Sequence, residues 1–118
     1  MATQSDSERD SLLQGTLDLL ILRILALGSH HGQGIARAIE ARSGDTLLVD
    51  HGSLYPALQR LESRRWINGA WGTSDNNRRA RFYSLTALGR KQFAAETGRW
   101  NRLVESIERV LGPQPREA

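Results

Sequence analysis

The sequence predicts a mainly α-helical chain with one small β-hairpin, and three observations predict it. Apolar residues recur at three- and four-residue steps in four separate stretches, the period of a helix with one buried face. Between Trp66 and Leu85 the pattern changes to two short runs, Trp66–Gly72 and Arg79–Leu85. The Gly, Ser, Asp and Asn residues of a hairpin turn lie between them. A last stripe, Phe93, Trp100, Val104, Ile107 and Leu111, steps by seven, four, three and four residues, the narrow seam of a helix that pairs with another. Together these give a winged helix-turn-helix followed by a long C-terminal helix.

At 118 residues the chain is one domain with room for a modest core. Its 39% hydrophobic and 25% charged content is ordinary for a soluble globular protein. The absence of cysteine excludes a disulfide framework and a thiolate metal site, and fits a reducing cytoplasm. The longest apolar stretch, Leu17–Leu27, is interrupted by Asp18 and Arg23 and is too short to span a bilayer. The start of the chain is acidic and polar, unlike a signal peptide. A cytoplasmic protein without membrane contact is expected.

Residues 1–11 read as a flexible polar arm, 12–85 as the winged helix-turn-helix, 86–112 as a C-terminal dimerisation helix and 113–118 as a polar tail. The first helix should run from Leu12 to Gly28. Leu13, Leu17, Leu20, Ile21, Ile24 and Leu25 form its stripe, and Leu19, Leu22 and Leu27 widen it. A helix apolar on nearly every side is buried on several sides, so Leu17 and Ile21 are candidates for a subunit contact. Ser29–Gly34 reads as a turn. A second helix follows over about Gln33–Ser43, with Gly44 as its stop. Thr46–Val49 is compatible with a small strand.

The third helix should start near Asp50–Ser53 and end near Arg65. With Ser53 as N-cap, Pro56 falls in the first turn, where its missing amide costs little. Leu54, Leu58 and Leu61 face inward. Thr86 caps the last helix, and Gly112 and Pro113 end it.

Charge is distributed unevenly. The net charge is +3, yet residues 1–50 carry −3 and residues 60–91 carry +6, from eight cations against Glu62 and Asp75. The helix–hairpin segment is therefore where a polyanion would bind. His51 and Ser53 lie at the helix start, where free amides favour phosphate. Gln59 and Arg60 face outward one turn on and match adenine and guanine edges in a major groove. Arg64 suits a phosphate, as do Arg78 and Arg79 at the hairpin tip. Arg81 shares parity with Tyr83 and Leu85, so it lies either on DNA or along the sheet. Asn76 and Asn77 are turn formers first, with Asn77 in reach of a backbone.

Tyr55, early in the helix, carries a phenol that can donate to phosphate or pack beneath the hairpin. Trp66 and Trp71 read as packing residues. The three histidines lack carboxylate partners at metal-ligand spacing, and no nucleophile–base pair or phosphate-binding glycine loop is present. No cofactor, metal or catalysis is expected.

The chain resembles the PadR family of bacterial transcriptional regulators from about Leu13 to Leu111. The resemblance is carried by Gln14-Gly15-Thr16-Leu17-Asp18-Leu19-Leu20-Ile21-Leu22, His31-Gly32 with Gly34-Ile35-Ala36, and Gly52-Ser53-Leu54-Tyr55-Pro56-Ala57-Leu58 with Arg60-Leu61-Glu62. It continues in Trp71-Gly72, Asn76-Asn77-Arg78-Arg79, and Tyr83-Ser84-Leu85-Thr86 with Gly89-Arg90. The single final helix resembles the family's smaller subtype.

That resemblance implies a homodimeric repressor built on the last helix, often with the first. It also implies an inverted-repeat operator in double-stranded DNA and release by a hydrophobic or phenolic small-molecule effector. It supports Tyr55 as a phosphate contact. For Trp100 it implies a place in an effector cavity at the dimer centre, beside the alternative of a plain dimer anchor. Two positions depart from the family pattern: Gln33 replaces an aromatic residue, and Arg65 stands where glycine usually ends the recognition helix. The competing function classes are a winged helix used for protein–protein contact and a dimeric small-molecule binder without an operator.

Overall fold

A computed structural model of the chain describes the backbone of residues 2–113 and the side chains of residues 15–113. Four helices, α1 (Ala2–Leu27), α2 (Gly32–Arg42), α3 (His51–Ser63) and α4 (Ala87–Leu111), surround a small sheet of β1 (His30–His31), β2 (Ile67–Thr73) and β3 (Arg79–Leu85). The sheet is antiparallel, in the order β1-β3-β2. This is a winged helix followed by a long last helix, as the sequence predicts.

The helix α1 is the hub. Leu17, Ile21, Leu22, Ile24 and Leu25 are buried, and α1 packs against α2, α3, β3 and α4. Ile35 and Ile39 of α2, Leu54, Leu58 and Leu61 of α3, Ile67 and Tyr83 close the core around it. Each such aliphatic side chain contributes about 1.5–3 kcal/mol on leaving water. The assignment of Leu17 and Ile21 to a subunit contact is corrected here: at 3% and 0% exposure they belong to the protomer's own core. An all-round apolar helix needs several neighbours, and this fold supplies them within one chain.

Three further expectations change. The helix starts at Ala2, where the sequence reading put a polar arm. Periodicity reports a buried face, and a polar segment gives no such signal even when its backbone is helical. The tail beyond Pro113 lies outside the described residues.

Thr46–Val49 forms no strand. The free edge of β3 is instead filled by His30 and His31, opposite Tyr83 and Phe82. The loop is held by the Val49 amide donating to Glu40 Oε2 at 2.9 Å.

Finally, α3 is capped by Asp50, whose Oδ1 accepts from the Ser53 amide at 2.9 Å. Pro56 is then the sixth residue of the helix rather than part of its first turn. Its missing amide leaves the Gly52 carbonyl unbonded within the helix, and both residues are exposed, so water can serve that carbonyl.

The corner after α3 is fixed by backbone bonds. The Arg65 amide donates to Glu62 and the Trp66 amide to Leu61. Arg65 takes φ 63, the left-handed conformation glycine adopts most easily. Thr86 locks α4 to this corner. Its Oγ1 accepts from the Gly89 amide at 2.9 Å and donates to the Arg65 carbonyl at 2.7 Å.

Candidate nucleic-acid interface

The buried side of α3 carries Leu54, Ala57, Leu58 and Leu61. The opposite face carries His51, Tyr55 and Gln59 at four-residue steps, all exposed. The rings of His51 and Tyr55 meet edge to face with their centres 5.8 Å apart. Ser53 is half-buried and engaged by the Asp50 cap through both its amide and its hydroxyl. Arg64 is exposed, with its guanidinium 5.2 Å from the centre of the Trp66 ring.

Arg60 differs from the sequence expectation. Its Nη2 donates to Asp18 Oδ1 of α1 at 2.8 Å, and the pair is mostly withdrawn from water. The guanidinium that was to read a base is occupied in orienting α3 on α1. Arg81 is likewise engaged, donating to Glu62 of α3. Both strand-parity alternatives were open for Arg81, and it lies along the sheet. The Glu62 bond raises the Arg81 pKa further above its ordinary value. Burial, with the nearby Glu62 charge, raises that of Tyr83.

The hairpin tip, Ser74–Arg78, closes through the Ser74 amide donating to the Arg78 carbonyl at 2.8 Å and the Asn77 amide to Ser74 at 2.9 Å. Asn77 has φ 59, so its first role is the turn. Arg78 and Arg79 are exposed and make no ion pair among the described residues. Trp71, expected to pack, is 58% exposed and serves as a platform, with the Arg79 guanidinium 4.5 Å from its ring centre. The signal for this lay in strand parity, since Trp71 stands opposite Arg81 on the cationic face of the hairpin. An open cleft of about 580 Å³ separates the hairpin from Tyr55 and the start of α2, and Arg37, overlooked in the sequence, lines it.

Along α4, Trp100, Ile107 and Leu111 are exposed, Val104 is half-buried, and Phe93 packs partly on the core. Leu103 and Val110 are also exposed, at 52% and 85%. The sequence held the signal: Trp100, Leu103, Ile107 and Val110 step by three, four and three. A second cleft, of about 310 Å³, lies between α1 and α4 and is lined by Thr16, Leu19, Trp100 and Leu103 among others.

The histidines have other duties. His31 Nδ1 accepts from the Gly34 amide at 3.1 Å and so caps α2. Its ring meets Phe82 edge-on at 5.5 Å. No helix among the described residues is long and apolar enough to cross a membrane.

Comparison with known proteins agrees with this geometry. A family model described as the transcriptional regulator PadR-like family matches residues 21–95. An uncharacterised protein from Lysinibacillus sphaericus is 26% identical over 100 residues, covering 85% of this chain and 92% of the relative. A transcriptional regulator from Clostridium thermocellum has the same fold, with a TM-score of 0.79 at 24% identity over 86% of this chain and 99% of that one. A PadR family transcription regulator from Clostridium difficile gives 0.68 at 27% identity over 80% and 97%. A PadR-like regulator from Bacillus cereus gives 0.74 at 22% identity over 88% and 99%. With the winged helix in place and the family match spanning most of it, the chain belongs to the PadR-like family of transcriptional regulators.

Proposed function

We propose that this regulator is a homodimeric repressor that reads a pseudo-palindromic operator and is released by a hydrophobic or phenolic small molecule. The observation that carries the reading is the pair of wing arginines, Arg78 and Arg79, which make no ion pair among the described residues, beside the exposed α3 face of His51, Tyr55 and Gln59. The α3 helix enters a major groove, where Gln59 meets a base edge. His51, Tyr55 and Arg64 meet phosphates, whereas both donors of Ser53 are taken by Asp50, and the wing grips the flanking backbone through Arg78 and Arg79, with Asn77 at the turn. Arg60 and Arg81 hold α3 in position through Asp18 and Glu62.

Two copies pair along the α4 seam of Trp100, Leu103, Ile107 and Val110. Two-fold symmetry then sets half-site centres about 34–36 Å apart. The effector enters the α1–α4 cleft at Trp100 and alters the angle between the two reading heads. A protein with this role works in the cytoplasm, on chromosomal DNA.

The test is a fluorescence titration against duplex from upstream of the protein's own gene, at several salt concentrations, beside a scrambled duplex. Wild type should prefer the upstream duplex. Arg78→Ala with Arg79→Ala should weaken binding and make the log–log salt slope shallower by about two. Equal, weak binding to both duplexes would remove operator reading and favour a protein partner.

A further inference from the structure

Three arginines of this chain are held by carboxylates, and three others meet at one cleft. Arg60, Arg81 and Arg99 are each paired with a carboxylate: Asp18, Glu62 and Glu96. Arg37, Arg78 and Arg79 are exposed and make no ion pair among the described residues. These three line one cleft, with Arg37 contributed by α2 and Arg78 and Arg79 by the wing. Tyr55 lies in the same cleft. Asp75 of the hairpin tip and the Glu62-paired Arg81 also line the cleft, so three cations without an ion pair among the described residues outnumber one carboxylate there, and that excess attracts an outside anion.

The wing wall is also preorganised. Arg79 rests on the Trp71 ring at 4.5 Å, so less side-chain freedom is lost when it binds. Trp71 is itself 58% exposed, an indole left in water at the cleft edge.

We propose that one strand of the DNA backbone runs through this cleft, with Arg37 as a phosphate contact facing the Arg79–Trp71 stack. The inference rests on the DNA-binding reading above and adds a wall to it. The footprint extends past α3 and the wing tip onto α2, and Trp71 loses its water when the strand seats. A strand fits better than an enclosed ligand because the cleft is open and lined more by polar than by apolar surface.

The test compares Arg37→Ala with Arg42→Ala. Arg42 lies on the same helix, is also exposed and is absent from the cleft lining. Operator affinity is measured over a range of salt. Arg37→Ala should weaken binding about tenfold and make the salt slope shallower by about one, the signature of one lost phosphate contact. Arg42→Ala should keep the wild-type slope, and Arg37→Lys should restore most of it. Unchanged melting temperatures separate these effects from misfolding.

An Arg37→Ala slope equal to that of wild type, with wild type binding well, overturns the inference and leaves the repressor reading standing. Wild type that binds no duplex overturns both. Loss of effector response with DNA binding intact would instead assign the cleft to a small anion, and would also overturn the inference.

Discussion

Arg60 of α3 grips Asp18 of α1 across 42 residues of sequence, Nη2 to Oδ1 at 2.8 Å. The bond ties α3 to the helix at the centre of the core. Its side chains are 29% and 17% exposed, so either group left without its partner would be poorly solvated. Asp18→Asn should cost about 1–2 kcal/mol in urea unfolding, because a partly buried guanidinium loses its charged partner. A double-mutant cycle with Arg60→Gln should give a coupling of about 1 kcal/mol. Strict additivity would mean the pair does not hold α3, and a changed base preference would return Arg60 to the reading surface.

Gly89 should tolerate no side chain. A Cβ there would run into the Trp66 carbonyl oxygen, backbone that cannot step aside without breaking the α3–α4 corner. Gly89→Ala should destabilise by about 3 kcal/mol. Gly98→Ala is the control. Its Cβ would meet only the flexible end of Arg102 at 3.4 Å, and alanine should add a few tenths of a kcal/mol of helix preference. Equal effects in denaturant titrations would reject this account of the corner.

Arg65 occupies a left-handed position at φ 63. Arg65→Gly should raise stability by about 0.5–1 kcal/mol, since glycine adopts that conformation without a Cβ penalty. A lower unfolding midpoint would mean that the arginine side chain contributes more than its backbone costs.

The α4 seam and the α1 core should separate cleanly in sedimentation. Leu103→Asp or Ile107→Asp places a charge on exposed apolar surface of α4 and should convert dimer to monomer with little change in protomer stability. Leu17→Ala, in the core, should cost about 2–5 kcal/mol of stability. Its dimer constant should stay unchanged wherever it remains folded. Dimers that survive both α4 substitutions would move the interface elsewhere.

Tyr83 should make the protein's stability sensitive to alkali. Burial, aided by the Glu62 charge, raises its pKa above the ordinary 10.0. A raised folded-state pKa contributes stability that is complete below the unfolded value and lost as pH rises through the folded one. Wild type should therefore lose stability above about pH 10. Tyr83→Phe should flatten that loss in unfolding titrations, and an unchanged alkaline slope would assign it to other groups.

The sequence by itself determined the four helices, the hairpin, the Thr86 cap and the Gly44 stop. Each is written in a local signal: apolar period, turn residues, or a capping side chain three residues from the amide it accepts from. The exposed α3 face and the wing arginines were legible for the same reason. Tertiary structure alone decided what each face meets. It put Leu17 and Ile21 in the protomer core, seated the short strand at His30–His31 instead of Thr46–Val49, and turned Arg60 and Arg81 from DNA candidates into ties to Asp18 and Glu62. It also brought Arg37 to the same cleft as the wing arginines, though some forty residues of chain separate them. Periodicity says that a face is buried and charge says that a segment is basic. Which neighbour buries the face, and which cations remain unpaired, depends on contacts between residues far apart in sequence.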